Sequence, residues 1–272
     1  SDRALARLRL ERDLRLALEY GQIEVHYQPE VFLSSGRVYG LEALARWNHP
    51  EHGPLSPAEF IPVAEDSGLI LRLGEYVLEE SCRRMRLWRD ALPESAPCAI
   101  GVNVSAMQLR QRDFVPRIAG SLEKNGLEPA CLQLEITESA AIEDLEAALR
   151  ACDELKELGV RIALDDFGTG HSSLSSLRRF PLDALKVDRS FVSNLEDDSQ
   201  MANVVASIIE LAHALDLEVI SEGIETPGQL SMLRHLGCDI GQGYHFSRPI
   251  PPNEAFELLA SWRTLNLLRG SG

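Results

Sequence analysis

Five residues with carboxylate or carboxamide side chains stand where a short apolar run gives way to a loop: Glu42, Asn103, Glu135, Asp165 and Glu222. The intervals between them are 61, 32, 30 and 57 residues, close to one or two lengths of a strand-plus-helix unit. If the runs are parallel strands of one barrel, all five oxygen donors emerge at the C-terminal face, where barrel active sites are found. Such a ring of oxygen ligands favours hard divalent cations.

These five residues need strands and helices that alternate along the chain, and the apolar patterning predicts them. Eight candidate strands span residues 23–28, 38–45, 99–104, 132–136, 161–165, 184–187, 218–221 and 239–244. Candidate helices span residues 56–65, 71–88, 113–125, 143–158, 200–215, 227–236 and 253–262. This alternation favours an α/β fold, a (β/α)8 TIM-like barrel that allows for one irregular or antiparallel strand.

The first twenty residues place leucines among arginines at helical spacing and predict an amphipathic helix. Two interpretations stay open: a linker from a preceding domain, or a helix that closes the bottom of the barrel. We assign residues 1–11 to an N-terminal linker helix and residues 12–272 to one barrel domain, because no stretch rich in Pro, Gly or Ser divides the chain.

Composition excludes several classes of function. The formal net charge of −15 at pH 7 disfavours binding to bulk nucleic acid, because that binding needs a basic surface. No apolar stretch reaches the roughly eighteen residues that span a bilayer, and no signal peptide opens the sequence. The five cysteines are scattered and form no C-x-x-C pair. We therefore expect no membrane contact by this segment and a cytoplasmic location, with an anchor in upstream segments left open.

The candidate strand ends carry nine short motifs: Tyr27-Gln28-Pro29, Glu42-Ala43-Leu44 with Arg46-Trp47, His49-Pro50 with Phe60-Ile61-Pro62, Asn103-Val104-Ser105, Glu135-Ile136-Thr137-Glu138, Asp165-Asp166-Phe167-Gly168-Thr169-Gly170, Lys186-Val187-Asp188, Glu222-Gly223-Ile224-Glu225 and Gln242-Gly243-Tyr244. In this order the motifs resemble those of EAL-domain phosphodiesterases, which hydrolyse the bacterial second messenger cyclic di-GMP. A lone Glu-Ala-Leu tripeptide would mean almost nothing, whereas the ordered set covers most of the chain.

The resemblance implies a metal-dependent enzyme with two Mg²⁺ or Mn²⁺ ions. One ion is held by the residues that match Glu42, Asn103, Glu135 and Asp165. The second is held by those that match Asp165, Asp166 and Glu222, so Asp165 bridges the two. Lys186 matches the family lysine next to the attacking water. Hydrolysis then yields the linear dinucleotide pGpG.

The resemblance also implies the residues that surround the substrate. Arg46 is expected to form a forked pair with a phosphate, and Gln28, Gln242 and Asp166 to contact the ligand, with Glu225 in support. Glu138 is expected to hold the loop at residues 167–173 in the shape that seats the second metal; the alternative is an N-cap for a helix that starts near residue 143. A homodimer and fusion to upstream sensory or signalling domains are further expectations.

Each of these residues also has a plainer interpretation. A single carboxylate at a strand end is more often a helix cap or a surface residue, Lys186 can be an exposed lysine, and Arg46 can pair with Glu42. Seven suitable residues on one rim favour the site. The main alternative function is a receptor that binds cyclic di-GMP without cutting it, and a third is another metal-dependent barrel enzyme.

Overall fold

The computed structural model describes residues 2–168 and 177–262. Within these residues nine strands form one sheet, and pairing of β1 with β2 closes eight of them into a barrel. The strands are β1 Ile23–Phe32, β2 Val38–His49, β3 Gly53–Leu55, β4 Ala99–Val104, β5 Leu132–Thr137, β6 Arg161–Phe167, β7 Ala184–Val187, β8 Glu218–Ser221 and β9 Ile240–Gln242. The predicted TIM-like barrel is confirmed, with β3 as an extra strand beside β2.

The first strand is the antiparallel strand of the barrel. β1 runs antiparallel to both of its neighbours, β2 and β9, whereas the barrel pairs from β2 through β4 to β9 are parallel. A short connection therefore suffices between β1 and β2, as in any hairpin. Their register places Gln28 directly opposite Glu42, so Gln28 enters the site from the middle of its strand.

The second strand is longer than predicted and corrects the placement of Glu42. β2 continues to His49 instead of ending at residue 45, so Glu42 lies inside a strand and not where a strand gives way to a loop. Parallel pairing with β4 stops at Ala43, and the remainder of β2 pairs with β1 and β3. Glu42 thus lies at the end of the parallel part of β2.

The helices follow the predicted order. They are α1 Asp2–Tyr20, α2 Pro57–Ser67, α3 Ile70–Ala91, α4 Ala106–Leu109, α5 Phe114–Asn125, α6 Glu138–Glu143, α7 Leu145–Leu158, α8 Arg189–Val192, α9 Ser199–Ala214, α10 Pro227–His235 and α11 Pro252–Ser261. One prediction is wrong: residues 143–158 do not form a single helix, because Asp144 separates α6 from α7. Its Oδ1 accepts a hydrogen bond from the Ala147 N–H at 3.1 Å and caps α7.

The N-terminal helix joins the barrel through its C-terminal half. Leu14 and Ala17 are fully buried in the main core, whereas Leu8 is 62% exposed. Asp13 Oδ2 lies 3.5 Å from His49 Nε2 at the end of β2. α1 is therefore continuous across residue 11, and the assignment of residues 1–11 to a linker stays a prediction. Of the described helices, none has the length and apolarity needed to cross a membrane.

Candidate active site

Lys186, near the end of β7, is the centre of the site. Its side chain is fully buried, and its Nζ donates to Glu135 Oε2 at 2.6 Å and lies 2.8 Å from Glu222 Oε1 and 3.6 Å from Glu42 Oε2. Burial alone would lower the pKa of Lys186, but the surrounding carboxylates raise it well above the ordinary lysine value. An exposed strand-end lysine is thus excluded, and the surrounding carboxylates favour the charged form of Lys186.

Glu42 is held by amide donors from two other strands, Asn103 on the adjacent β4 and Gln242 on β9. Its Oε1 accepts from Asn103 Nδ2 at 2.7 Å, and its Oε2 accepts from Gln242 Nε2 at 2.6 Å. Burial alone would raise the pKa of Glu42, but Lys186 and these two hydrogen bonds keep it below the ordinary value. The same Gln242 Nε2 donates to Gln28 Oε1 at 3.1 Å, so two predicted substrate contacts adjoin a predicted metal ligand.

Glu135 is fully buried on β5 and depends on a glycine of the next strand. A Cβ at Gly101 would overlap Glu135 Oε1, so the missing side chain at position 101 makes room for this carboxylate where it lies. Burial raises the pKa of Glu135 well above its ordinary value, with Glu42 and Asp165 adding to the effect against Lys186. The sequence analysis missed Gly101, whose signal is its position two residues before Asn103.

Asp165 and Asp166 follow each other at the end of β6. Asp166 has φ 54°, in the left-handed region that is uncommon outside glycine, and its N–H donates to Asp165 Oδ1 at 2.8 Å. Burial and neighbouring carboxylates raise the pKa of both aspartates, against the attraction of Lys186. Burial likewise raises the pKa of Glu222 to about 8.

The charges in the site are unbalanced. Four largely buried carboxylates, those of Glu42, Glu135, Asp165 and Glu222, lie close to the single ammonium of Lys186. Low polarity makes such an excess of negative charge costly unless cations or protons neutralise it. The donor set, carboxylates plus the Asn103 amide, consists of the oxygen ligands that Mg²⁺ and Mn²⁺ take, so the residues fit such ions.

The carboxylates are drawn toward Lys186 rather than spread around an ion. Among residues 2–168 and 177–262, no group of three or more His, Cys, Asp or Glu side chains is arranged as a metal site. The Nζ of Lys186 takes the central position, with two carboxylate oxygens within 2.8 Å. The residues expected to share the ions are nevertheless neighbours in the barrel mouth.

Glu138 contacts the start of the loop that follows β6. It is buried at the first position of α6, and its Oε2 accepts from the Gly168 N–H at 3.1 Å. The N-cap of α6 is Thr137 and that of α7 is Asp144, so capping near residue 143 falls to other side chains. Residues 169–173 of the predicted clamp lie outside the described residues.

A cleft of about 300 Å³ adjoins this group of residues. Its lining includes seven predicted residues: Gln28, Glu42, Arg46, Asp165, Glu222, Glu225 and Gln242. Arg189 and Tyr244 also line it, and the sequence analysis assigned neither; the signal for Arg189 was a cation three residues after Lys186. Leu44 and Arg46 are shared with a second, more apolar groove of about 510 Å³ that extends past Asn103 toward Ile61 and Leu73.

Arg46 is half-buried between these two cavities. Its Nη1 donates to the Ala45 carbonyl at 2.9 Å, and burial lowers its pKa against the opposing effect of Glu42. Within the described part of the chain no carboxylate lies within 4.0 Å of its guanidinium nitrogens. The pairing of Arg46 with Glu42 considered from the sequence is therefore not formed, and the guanidinium keeps donors for a ligand.

The sequence is similar to a known family of domains and to curated proteins that contain them. The model of the EAL domain family matches residues 11–249. Two curated relatives come from Pseudomonas aeruginosa: MucR, a bifunctional diguanylate cyclase/cyclic di-GMP phosphodiesterase 45% identical over 258 residues, and NbdA, a cyclic di-GMP phosphodiesterase 43% identical over 261 residues. They cover 95% and 96% of this chain, which spans only 37% and 33% of their lengths.

The fold is also similar to that of a solved structure. The PaMucR phosphodiesterase in complex with c-di-GMP is 44% identical and superposes with a TM-score of 0.86. The match covers 91% of this chain and 99% of that one, so the similarity extends over the whole barrel and is not restricted to the motifs.

Proposed function

Because the chain belongs to the EAL domain family, we propose that it is a metal-dependent phosphodiesterase that hydrolyses cyclic di-GMP to linear pGpG. The observation that carries this proposal is the arrangement around Lys186: an ammonium with Glu42, Glu135 and Glu222 within 3.6 Å of it. A site built only to bind a dianionic dinucleotide has no use for this excess of buried carboxylates. A site that holds divalent cations needs it.

The side chains assigned above would coordinate the ions. Glu42, Asn103, Glu135 and Asp165 would hold one Mg²⁺ or Mn²⁺ ion, and Asp165, Asp166 and Glu222 the other. When bound, such ions supply Lewis-acid polarisation of the scissile phosphate and activation of water. Since burial raises the pKa of Glu222 to about 8, this carboxyl group would have to give up its proton to hold an ion.

Lys186 acts as a fixed cation and not as a general base. Its raised pKa keeps it protonated at neutral pH, so it has no lone pair with which to accept a proton from water. Its N–H groups instead orient the attacking water and stabilise the negative charge that develops on the phosphate oxygens.

The remaining residues orient the substrate in the two cavities. Arg46 lies on both, and its free fork of donors suits a phosphate. Gln28, Gln242 and Glu225 line the smaller cleft and would contact the ligand. The larger groove, with Ile61 and Leu73 in its wall, suits the flat face of a base. Glu138 fixes Gly168 and so the approach to Asp165 and Asp166.

The chain is proposed to act as one module of a longer signalling protein. It spans about a third of the length of its curated relatives, and residues 1–11 would form the linker helix that joins it to upstream sensory domains. A homodimer and a cytoplasmic location of this module belong to the same proposal. An acidic surface of net charge −15 keeps bulk nucleic acid away while the site binds one small phosphodiester.

One incubation separates the three functions. The purified chain is mixed with cyclic di-GMP and either Mg²⁺, Mn²⁺, Ca²⁺ or EDTA, and nucleotides are resolved by chromatography while binding is measured by calorimetry. Hydrolysis to pGpG with Mg²⁺ or Mn²⁺ supports the enzyme. Binding without cleavage in every metal supports a receptor. Another metal-dependent barrel enzyme stays in question only if cyclic di-GMP is neither bound nor cleaved. Full activity in excess EDTA would exclude the metal-dependent mechanism.

A further inference from the structure

Two buried side chains of the barrel interior face each other with unpartnered acceptors. Glu30 on β1 and Gln242 on β9 are directly opposite in their antiparallel ladder, where Cβ atoms lie about 5 Å apart. They are 1% and 3% exposed. Among the described residues, neither Glu30 Oε1 nor Gln242 Oε1 has a hydrogen-bond partner. Buried acceptors without a donor are rare and costly, so this pair needs an explanation.

The orientation of the Gln242 amide is fixed by its other end. Nε2 donates to Glu42 Oε2 at 2.6 Å and to Gln28 Oε1 at 3.1 Å. A flipped amide would place its oxygen against a carboxylate and lose both hydrogen bonds. Gln242 Oε1 must therefore point away from Glu42 and needs a donor from another neighbour.

Glu30 is placed to supply that donor. Gln28 and Glu30 are two residues apart on β1 and so share the face that Gln242 contacts. Opposite Glu30 on β2 stands Gly40, where a Cβ would lie 3.1 Å from Glu30 Oε2 and 2.9 Å from the Ala99 carbonyl oxygen. The missing side chain at position 40 makes room for this carboxyl group inside the barrel.

We propose that Glu30 is a positioning residue: as a carboxylic acid it donates its O–H to Gln242 Oε1 and locks the Gln242 amide onto Glu42 and Gln28. One proton satisfies both unpartnered atoms at once. The fixed amide holds Glu42, a predicted metal ligand, and Gln28, a predicted substrate contact, in place relative to each other. This functional consequence rests on the function proposed above. Glu30 lies outside all nine motifs of the sequence analysis.

The charges that face Glu30 favour the acid form. Burial raises its pKa to about 7, with Glu42 and Asp165 adding to the effect and Lys186 and Arg161 opposing it. Glu135 also faces it from β5. An ionised Glu30 would add a fifth carboxylate to an already negative site, whereas a protonated Glu30 adds a hydrogen-bond donor and no charge.

The test compares Glu30→Gln, which keeps a donor of the same length, with Glu30→Met, which keeps the volume but has no donor. Binding of Mn²⁺ is measured by calorimetry, and KM and kcat for cyclic di-GMP by chromatography. Glu30→Gln should bind Mn²⁺ as wild type does. Glu30→Met should weaken Mn²⁺ binding and raise KM by about fivefold each, the size of one buried hydrogen bond, with kcat less affected.

Infrared spectroscopy reads the proton directly, without turnover or metal. At pH 6 the wild type should show the carbonyl band of a protonated carboxyl group that is absent from Glu30→Gln. If this band does not differ, or if Glu30→Met and Glu30→Gln bind Mn²⁺ equally tightly, the proposal is wrong. Both measurements remain decisive if the wild type binds Mn²⁺ but hydrolyses no cyclic di-GMP. The infrared comparison alone decides if the wild type binds no Mn²⁺ or if Glu30→Met does not fold.

Discussion

Replacement of Lys186 by methionine removes the central cation while it keeps the length and apolar stem of the side chain. In the absence of metal, Glu135, Glu222 and Glu42 would lose the ammonium that now lies 2.6 to 3.6 Å from their oxygens. We expect Lys186→Met to fold less stably without metal, to bind cyclic di-GMP still, and to hydrolyse it far more slowly. The three effects have separate physical causes and can be measured separately.

The size of the stability effect follows from burial. Removal of one partner from a buried ion pair typically costs about 3–5 kcal/mol. Here the carboxylates can take up protons instead of remaining charged, because the pKa of Glu222 is about 8 and that of Glu135 is raised. The lower limit, about 3 kcal/mol, is therefore expected, which lowers the Tm by roughly 6–10 °C for a domain of this size.

The size of the catalytic effect follows from the charge that develops on the phosphate. Loss of a single fixed donor at such a position typically lowers kcat by roughly 10²- to 10³-fold. Because Lys186 is proposed to act on the transition state, the affinity for cyclic di-GMP should change much less than kcat. Added Mn²⁺ should raise the Tm of Lys186→Met more than that of wild type, since the ions replace the lost positive charge.

Lys156→Met is the matched control. Lys156 Nζ bonds both oxygens of Asp183, at 2.7 and 2.9 Å, but its side chain is 33% exposed, so its loss should cost about 1 kcal/mol or less. Thermal unfolding with EDTA or Mn²⁺, calorimetry and turnover are measured for both variants. Equal losses of binding and turnover in Lys186→Met, or turnover within about threefold of wild type, would refute the role given to this lysine.

Three further predictions test the ligands and their control. Asp165→Asn removes the charge of the proposed bridging ligand and should abolish hydrolysis in chromatographic assays, whereas residual turnover near the wild-type rate would exclude bridging. Glu138→Ala should keep the fold but weaken the proposed second metal site, so activity should fall steeply and partly recover at high Mn²⁺. Turnover near the wild-type rate at low metal concentration, with only a lower Tm, would mean that Glu138 has a purely structural role. In EDTA the Tm should fall as the pH rises from about 4.5 to 8. The folded-state pKa of Glu222 is raised to about 8, so the stability that its protonated form contributes is lost across that window. Mn²⁺ should flatten this dependence of Tm on pH, and a flat dependence in EDTA would contradict the raised pKa.

Much of the barrel was predictable because parallel strands reveal themselves locally. Residues 132–136 and 184–187 are short, largely apolar runs with a charged residue in the next-to-last position, and the structure has β5 and β7 there. The antiparallel direction of β1 has no such local signal, since a strand reads the same in either direction. The length of β2 was missed for a related reason: its extension past residue 45 depends on pairing with β1 and β3, which composition does not reveal.

The candidate site divides in the same way. Glu42, Asp165 and Lys186 could be proposed because motif order and strand ends placed them on one rim. The full burial of the Lys186 ammonium among carboxylates could not be predicted. In the sequence, a lysine near a strand end looks the same whether its side chain points into the barrel or into solvent. The pKa shifts follow from that burial, so they too are consequences of three-dimensional structure.

Glu30 shows why the residues that position a site are the hardest to find. Glu30 is one of 42 acidic residues in the chain. Nothing in its immediate sequence distinguishes it from the others. Its meaning comes from two other strands, with Gln242 opposite it on β9 and Gly40 opposite it on β2. Only closure of the barrel through the β1–β2 and β1–β9 pairs brings them together. The proposed metal ligands could be predicted one strand at a time, whereas a positioning residue is defined by its neighbours across strands and is recognised only in the folded structure.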